Sequence, residues 1–328
     1  MKFAIRNYRR LSELEVELDD LMLIIGPNGS GKTSLVEAMY LASSGGSATA
    51  PLRTNPLRAV LIAKGMPYVP DIGDGLVEAN DVRISQSVCD SEVDAELNKL
   101  REGFALHALF GFLARLSGAP IAEAAYRELG RLYACGPEGN SAVAVFANFL
   151  LDASRGEPAS AVFISPRLAA ELDYVSALID HVSSQSPEWH AAVMHKFGEL
   201  KIRNVRNING VPHVVAQRAL PLSLAPAGYA YAIALSLALG AGEYVFIDEP
   251  EAHMHPALLD LVKDVVEMAL DRGVKVAVAT QSVEALDKLS TIGRGAVVRM
   301  KDCKIHDVIP MEEARRRIDE LYEDLRFY

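Results

Sequence analysis

The amino-acid sequence predicts an α/β fold built around a strand–loop–helix unit near its amino terminus. The apolar strand at 21–25 enters a loop with three glycines, and a run with few helix breakers leaves that loop at about 32–42. Between 228 and 290 helical and strand patterns alternate, and the strand at 243–248 is almost continuously apolar until it ends in carboxylates. Together these observations predict a largely parallel sheet with helices packed on its faces.

The loop at 26–33 reads Gly-Pro-Asn-Gly-Ser-Gly-Lys-Thr and fits the P-loop pattern G-x-x-x-x-G-K-[ST]. Its glycines let backbone N–H groups turn inward toward phosphate oxygens, and the following helix adds the positive end of its dipole. Lys32 is expected to reach the β- and γ-phosphates of a nucleoside triphosphate, and the Thr33 hydroxyl is expected to ligate Mg²⁺. The predicted nucleotide-binding residues of this segment are Gly26, Asn28, Gly29, Ser30, Gly31, Lys32, Thr33 and Ser34.

The strand at 243–248 supplies the second half of the predicted site, because ligands of α/β proteins bind at the carboxyl ends of parallel strands. Asp248 is expected to hold Mg²⁺, directly or through water. Glu249 follows it, where it could accept a proton from, or orient, the water that attacks the γ-phosphate. The alternative is a pair of carboxylates that caps the helix predicted at 256–271. The first interpretation makes ATP and Mg²⁺ the expected cofactors.

The other predicted elements suggest a nucleotide-binding core at 1–90 and 199–328, interrupted by a mainly helical insertion at 91–198. The amino-terminal strands at 2–7 and 14–18 alternate apolar and polar residues, which indicates an antiparallel pair. Residues 65–80 are predicted to be irregular. Further helices are predicted at 92–117, 120–134, 140–154, 167–185, 187–198, 228–239, 283–290 and 311–325, and further strands at 82–88, 161–164, 199–206, 211–216, 274–279, 295–299 and 303–307.

Residues 219–242 carry no charge over a length that could cross a bilayer. Pro221, Pro226 and Gly228 interrupt this segment near its start, and it continues into the strand that ends in carboxylates. We therefore interpret it as a buried helix beside a central strand, and we expect no integral membrane span.

Composition narrows the class of protein further. Half of the 328 residues are hydrophobic and 23% are charged, so a sizeable core is expected. The net charge of −10 argues against a uniformly basic surface for nonspecific DNA binding, but it is compatible with a local basic groove. Cys89, Cys135 and Cys303 match no metal-binding spacing, and the first residues lack the apolar segment of a signal peptide. A reducing cytoplasm is the simplest expectation.

Two stretches carry a resemblance to a known group of ATPases. The run IDEPEAHMHP at 247–256 resembles the equivalent stretch of ABC-type ATPases of the OLD (overcoming-lysogenisation-defect) kind and their stand-alone relatives. Residues 5–38 resemble the opening of RecF-like, SMC-like and coiled-coil DNA-repair ATPases. The resemblance covers 1–42 and about 219–290, and it implies an ABC-ATPase-like head that closes on ATP as a head-to-tail homodimer.

The resemblance also assigns roles to four residues outside the P-loop and the acidic strand. Arg9 would lie near the nucleotide phosphates, and Gln86 would contact Mg²⁺ and water. Gly228 would offer its N–H to phosphate after a signature loop at 222–228, although proline or alanine stands where the usual serine is expected. Gln281 stands at the switch position, where relatives commonly have histidine. A solvated arginine, a plain helix start and a solvent-facing strand residue are the alternatives for Arg9, Gly228 and Gln86.

The expected partner is either DNA, in maintenance or repair, or a separate effector protein, in anti-phage defence. No sustained heptad appears, which disfavours long-range DNA tethering. About 40 residues follow Ser290, too few for the nuclease domain that OLD proteins append. The alternatives are an ATP-binding regulatory switch that hydrolyses little and the nucleotide-binding subunit of a membrane transporter. A transporter subunit should show a fuller Leu-Ser-Gly-Gly signature and a histidine switch.

Overall fold

A computed structural model describes residues 1–8, 10–44, 59–60, 76–79, 82–85 and 159–326. The strands of these residues are β1 (Lys2–Tyr8), β2 (Leu11–Glu17), β3 (Leu21–Ile25), β4 (Leu76–Ala79), β5 (Val82–Ser85), β6 (Ala161–Ile164), β7 (Asn204–Ile208), β8 (Val211–Val215), β9 (Ala219–Pro221), β10 (Tyr244–Asp248), β11 (Lys275–Ala279), β12 (Ala296–Lys301) and β13 (Lys304–Pro310). The α-helices are α1 (Lys32–Ser44), α2 (Pro166–Ala170), α3 (Leu172–Gln185), α4 (Pro187–Phe197), α5 (Ala227–Ala238), α6 (Pro256–Asp271), α7 (Val283–Ser290) and α8 (Met311–Leu321).

The main sheet has six strands in the order β13-β12-β3-β11-β10-β6. All neighbours are parallel except β12 and β13, which form an antiparallel hairpin at one edge. Every residue of β3 is buried, as expected for a parallel strand covered on both faces. Because β3, β10, β11 and β12 run in the same direction, their carboxyl ends meet at one edge of the sheet.

A second sheet has the order β2-β1-β4-β5 and is antiparallel throughout. The predicted pair of amino-terminal strands is confirmed, with Phe3 opposite Val16. The prediction of irregular structure at 65–80 is wrong at β4, where Val77 pairs with Ile5. Four residues are too few to show a strand period, and β4 is ordered by tertiary pairing with β1.

The uncharged segment at 219–242 folds as β9, a short 3₁₀ turn and α5, which has 12 residues. Most of α5 is buried, and the phenol of Tyr231 donates a hydrogen bond to the Asp248 carbonyl of β10 at 2.8 Å. The interpretation as a buried helix beside a central strand is therefore confirmed. Within the described ranges, no helix is both long and apolar enough to cross a membrane.

The structure describes only residues 159–198 of the predicted insertion. There β6 forms an edge of the main sheet and pairs with β10, and α4 is fixed to α5 by the Trp189 indole, whose N–H donates to the Ser236 carbonyl at 2.9 Å. Trp189 is almost fully buried in the same hydrophobic core as the main sheet. This part of 91–198 is thus continuous with the core, while the predicted helices at 92–117, 120–134 and 140–154 lie outside the described residues.

Candidate nucleotide site

The P-loop joins β3 to α1 at the carboxyl edge of the main sheet. Gly26, Gly29 and Gly31 have φ values of +148°, +76° and +95°, which other residues adopt only at a cost. A Cβ on Gly26 would lie 2.2 Å from the backbone oxygen of Met300 in β12. Glycine is therefore required at Gly26 both for its backbone conformation and for the close approach of a neighbouring strand.

Lys32 folds back over the loop that precedes it. Its Nζ donates hydrogen bonds to the carbonyls of Gly26 and Pro27, both at 2.9 Å, and only 9% of the residue is exposed. Burial lowers the pKa of the Lys32 ammonium, while the nearby charges of Asp248, Glu249 and Glu251 act in the opposite direction. A polyanion in the site would offer Lys32 charged oxygen partners in place of these neutral carbonyls, and such bonds are stronger.

Thr33 and Asp248 lie 215 positions apart in the sequence and meet at the mouth of the site. The Thr33 hydroxyl donates to Oδ1 of Asp248 at 3.0 Å. The meeting follows from topology, because α1 begins at the carboxyl end of β3 and Asp248 ends β10, and β11 lies between these two strands. A hydroxyl and a carboxylate at this distance are oxygen donors of the kind that Mg²⁺ prefers.

A cavity of about 290 Å³ opens between the P-loop and the ends of β10 and β11. It gathers eight of the predicted site residues of the P-loop and the acidic strand together with Gln281. Its lining consists of Arg10, Asn28, Gly29, Gly31, Lys32, Thr33, Ser34, Asp248, Glu249, Ala279, Thr280, Gln281 and Cys303. The lining therefore places the buried Lys32 ammonium and the carboxylates of Asp248 and Glu249 around one cavity.

Glu249 stands on a strained turn immediately after β10. Its φ is +52°, its side chain is exposed, and its N–H donates to the Ala279 carbonyl at 2.9 Å. This hydrogen bond ties the turn to the end of β11, where Gln281 also lines the cavity. Backbone strain of this kind is found where a functional side chain must be aimed.

Glu251, which the sequence analysis did not single out, links the turn after β10 to the segment that contains Thr280 and Gln281. Hydrogen bonds from its own backbone N–H, the Thr280 side chain and the Gln281 backbone favour the charged form of its carboxylate. Burial raises the pKa of the Glu251 carboxyl; these hydrogen bonds oppose the shift, and the charge of Glu249 adds to it. Its Oε2 is buried with no hydrogen-bond partner among the described residues. Only its place two residues after Glu249 could have suggested this role.

Gly228 lies away from the cavity, under the turn that follows Glu249. A Cβ there would be 2.3 Å from the His253 carbonyl oxygen, so the glycine lets α5 pack against this turn. The loop before Gly228 is at the surface, and Leu224 is 68% exposed. The predicted phosphate contact of Gly228 would therefore have to be made to a nucleotide held by another subunit.

Three other predicted residues are Arg9, Gln86 and Ser30. Arg9 and Gln86 lie outside the described residues. The hydroxyl of Ser30 is buried without a hydrogen-bond partner within the described ranges, which leaves it available to a ligand oxygen.

The carboxyl-terminal part of the chain contributes contacts that the sequence analysis missed. The β12–β13 turn brings Cys303 against the loop, with its Sγ 3.5 Å from the Gly29 carbonyl oxygen. Beyond α8, Nη1 of Arg326 donates to the Gln281 carbonyl at 3.0 Å. The position of β12 beside β3 could have pointed to Cys303, but no local pattern marks Arg326.

Comparison with known families agrees with this geometry at the amino-terminal end. Residues 1–87 match the family model described as an AAA ATPase domain. A search of curated proteins finds no significant match. The match confirms that the predicted resemblance to ATPases holds over this part of the chain, and the architecture is that of a P-loop NTPase fold.

Solved structures with overall similarity are ATP-binding cassettes and SMC heads. They include CbiO1 from Clostridium perfringens, part of an ABC transporter complex (TM-score 0.46, 11% identity, 98% of this chain and 96% of that chain). A nucleotide-free ATP-binding cassette from an ABC transporter scores 0.46 at 12% identity over 100% of both chains. An Smc head domain derived from Pyrococcus furiosus, bound to the C-terminal domain of ScpA, scores 0.44 at 13% identity over 98% of this chain and 99% of that chain. All three TM-scores are under 0.5.

Proposed function

We propose that the chain is an ABC-type ATPase of the OLD/RecF/SMC-like group that binds ATP with Mg²⁺ and hydrolyses it. The observation that carries this proposal is the 3.0 Å contact between Thr33 and Asp248 at the mouth of a P-loop cavity. A P-loop alone indicates phosphate binding, whereas this pair adds the oxygen donors needed beside the β- and γ-phosphates.

The residues fit a nucleotide-dependent Mg²⁺ site. Among the residues that the structure describes, no three His, Cys, Asp or Glu side chains form a group that could hold a metal ion. Thr33 and Asp248 would therefore share the ion with phosphate oxygens and water, as is usual for Mg²⁺. Bound there, the ion supplies positive charge that stabilises the charge developing on the γ-phosphate.

Glu249 and Gln281 are the proposed catalytic residues, since both line the cavity beside Lys32. Glu249 would accept a proton from the attacking water or orient it. Gln281 can donate and accept hydrogen bonds but cannot carry a proton as an imidazolium does. Gln281 is therefore proposed to position the water or the γ-phosphate.

A head-to-tail homodimer is proposed to complete the site. The loop before α5 is exposed and contains Leu224. This surface could close over the nucleotide of a second copy. Gly228 would then present its N–H to the partner's nucleotide, and Arg9 and Gln86 would complete the contacts to phosphate and Mg²⁺. We propose that the dimer works in the cytoplasm with DNA or with a separate effector protein.

A switch that binds ATP without efficient hydrolysis is the second candidate. Pro226 stands near the place where related signature loops carry serine, and Gln281 replaces the usual histidine. Both changes would remove groups that assist hydrolysis while leaving Lys32, Thr33 and Asp248 in place to bind MgATP.

Hydrolysis by wild type, Glu249→Gln and Glu243→Gln distinguishes these two functions. Glu243 is an exposed carboxylate at the opposite end of the same strand, so it is a matched control. Loss of a general base should slow turnover about 100-fold or more in Glu249→Gln with ATP binding retained, and Glu243→Gln should match wild type. If wild type is no faster than Glu249→Gln, the chain is a switch. If Glu249→Gln with MgATP stays monomeric by light scattering, the dimer is wrong while hydrolysis can still stand.

A further inference from the structure

A second cavity lies outside the nucleotide site, between α4 and the segment that leads into β7. It is a surface cleft of about 740 Å³. Its lining consists of His190, Ala191, Met194, His195, Gly198, Lys201, Ile202, Arg203, Asn204 and Gln217. We call this cavity the basic cleft, because its lining includes an ammonium and a guanidinium group but no carboxylate.

The two cations of the basic cleft are available to a ligand. Lys201 and Arg203 are both exposed, and neither forms an ion pair with a described residue. His195 and Gln217 are also exposed at its edge and add polar groups that hydrogen-bond. Because nothing negative lines the cleft, the ligand that it fits is an anion.

The cleft has an ordered scaffold and an apolar floor. His190 donates from Nε2 to the Val205 carbonyl at 3.0 Å, which ties α4 to β7. The N–H of Arg203 donates to the Val215 carbonyl at 2.8 Å. Met194 and Ile202 are 7% and 4% exposed and form the floor. A ligand with both charged and flat apolar parts suits such a surface better than a small inorganic anion does.

Two further arginines lie in the three-stranded antiparallel sheet β7-β8-β9, which follows the cleft in the chain. Arg206 in β7 and Arg218 in the turn between β8 and β9 are exposed, again without an ion pair to a described residue. From residue 200 to 242 the chain contains no Asp or Glu, although its net charge is −10. A basic cleft and two further exposed arginines in a stretch without carboxylates, on an acidic protein, favour a ligand with repeated negative charges.

We propose that the basic cleft binds the phosphodiester backbone of single-stranded nucleic acid. Lys201 and Arg203 contact phosphates, Asn204 and Gln217 hydrogen-bond to sugars or base edges, and a base rests on the floor of Met194 and Ile202. A concave cleft admits one strand more readily than a rigid duplex. Binding here does not require ATP, so the inference stands apart from the proposed ATPase function.

Fluorescence anisotropy with labelled 20-nucleotide dT and rU strands tests the proposal, without nucleotide and at several salt concentrations. The double variant Lys201→Glu/Arg203→Glu should bind at least 10-fold more weakly, and the slope of log affinity against log salt should fall by about 1.4, for two lost contacts to a single strand. Arg167→Glu reverses an exposed arginine of α2 and should bind as wild type does. The milder Lys201→Gln/Arg203→Gln pair, checked by circular dichroism, covers the case in which the first variant does not fold.

Each result decides the matter. Comparable binding of dT and rU supports recognition of the phosphodiester backbone that DNA and RNA share, whereas binding of only one strand identifies DNA or RNA as the ligand. The proposal is overturned if neither strand binds at 50 mM salt, if the cleft variants bind like wild type, or if Arg167→Glu weakens binding equally. Tighter binding of poly-glutamate than of either strand would also overturn it, since an acidic protein segment would then be the partner. A Lys32→Ala variant that loses ATP binding but keeps strand binding would separate this site from the nucleotide site.

Discussion

Replacing Tyr231 with phenylalanine tests whether α5 positions the proposed metal-binding carboxylate. The phenol donates at 2.8 Å to the Asp248 carbonyl, and only 2% of Tyr231 is exposed. Burial raises the pKa of the Tyr231 phenol well above its usual value, and the charges of Asp248, Glu251 and Glu249 add to that shift. The phenol therefore remains a hydrogen-bond donor throughout the physiological pH range.

Tyr231→Phe removes one oxygen and leaves the ring in place. Loss of one donor to a partly buried carbonyl costs about 1–3 kcal/mol of unfolding free energy. With a urea dependence of about 3 kcal/mol per molar, the unfolding midpoint should fall by about 0.3–1 M. If this bond also fixes the end of β10, the Mg²⁺ concentration needed for half-maximal ATP binding should rise.

Tyr174→Phe is the matched control. Its phenol donates at 2.5 Å to the Phe163 carbonyl of β6, so it joins a helix to the neighbouring strand of the same sheet. Both variants should lose similar stability in urea titrations, but only Tyr231→Phe should change the Mg²⁺ dependence measured with a fluorescent ATP analogue. Unchanged stability of Tyr231→Phe, or an equal Mg²⁺ effect in Tyr174→Phe, would refute the reasoning.

Three further predictions concern the same site. Gly26→Ala should abolish ATP binding, because its Cβ would meet a backbone oxygen at 2.2 Å. Gly29→Ala has a φ of +76° but no atom within 4 Å of its Cβ, so it should lower the free energy of ATP binding by only about 1–2 kcal/mol. An equal loss of ATP affinity in both variants would contradict this. Burial raises the pKa of Glu251, so nucleotide-free wild type should lose stability as pH rises from about 4.5 toward that raised pKa. Glu251→Gln cannot titrate and so does not lose this stability. The melting temperature of the variant minus that of wild type should therefore increase over that pH range and then level off. A difference in melting temperature that does not change with pH would contradict the raised pKa of Glu251. Arg326→Ala removes the hydrogen bond to the Gln281 carbonyl. The loss of about 1 kcal/mol should slow ATP turnover about fivefold without lowering ATP affinity. A change in ATP affinity alone would contradict a role of Arg326 in positioning Gln281 for hydrolysis.

The parts of the site that could be predicted from sequence are those written in consecutive residues. The P-loop is a local pattern, and the apolar strand before Asp248 carries its own signal, so topology alone brings Thr33 and Asp248 together. Helices with clear starts, such as α6, which begins at Pro256 after its N-cap His255, agree with their predicted bounds because caps are local as well.

The parts that could not be predicted depend on pairing between distant segments. β4 has only four residues and is ordered by β1, so no periodicity marks it. Cys303 reaches the P-loop because β12 lies beside β3, and Arg326 reaches Gln281 because the chain turns back after α8. The basic cleft likewise joins α4 to the start of β7, two elements whose contact no sequence pattern shows.

The approach of the β12–β13 hairpin to the P-loop bears on when the site can form during synthesis. The loop lies within the first 33 residues, yet the oxygen of Met300 covers Gly26 and the sulfur of Cys303 contacts the Gly29 carbonyl. A ribosome-bound chain that ends before these residues lacks one wall of its own phosphate cradle. Competence to bind ATP is therefore expected only after β12 and the β12–β13 turn have been synthesised and β12 has paired with β3.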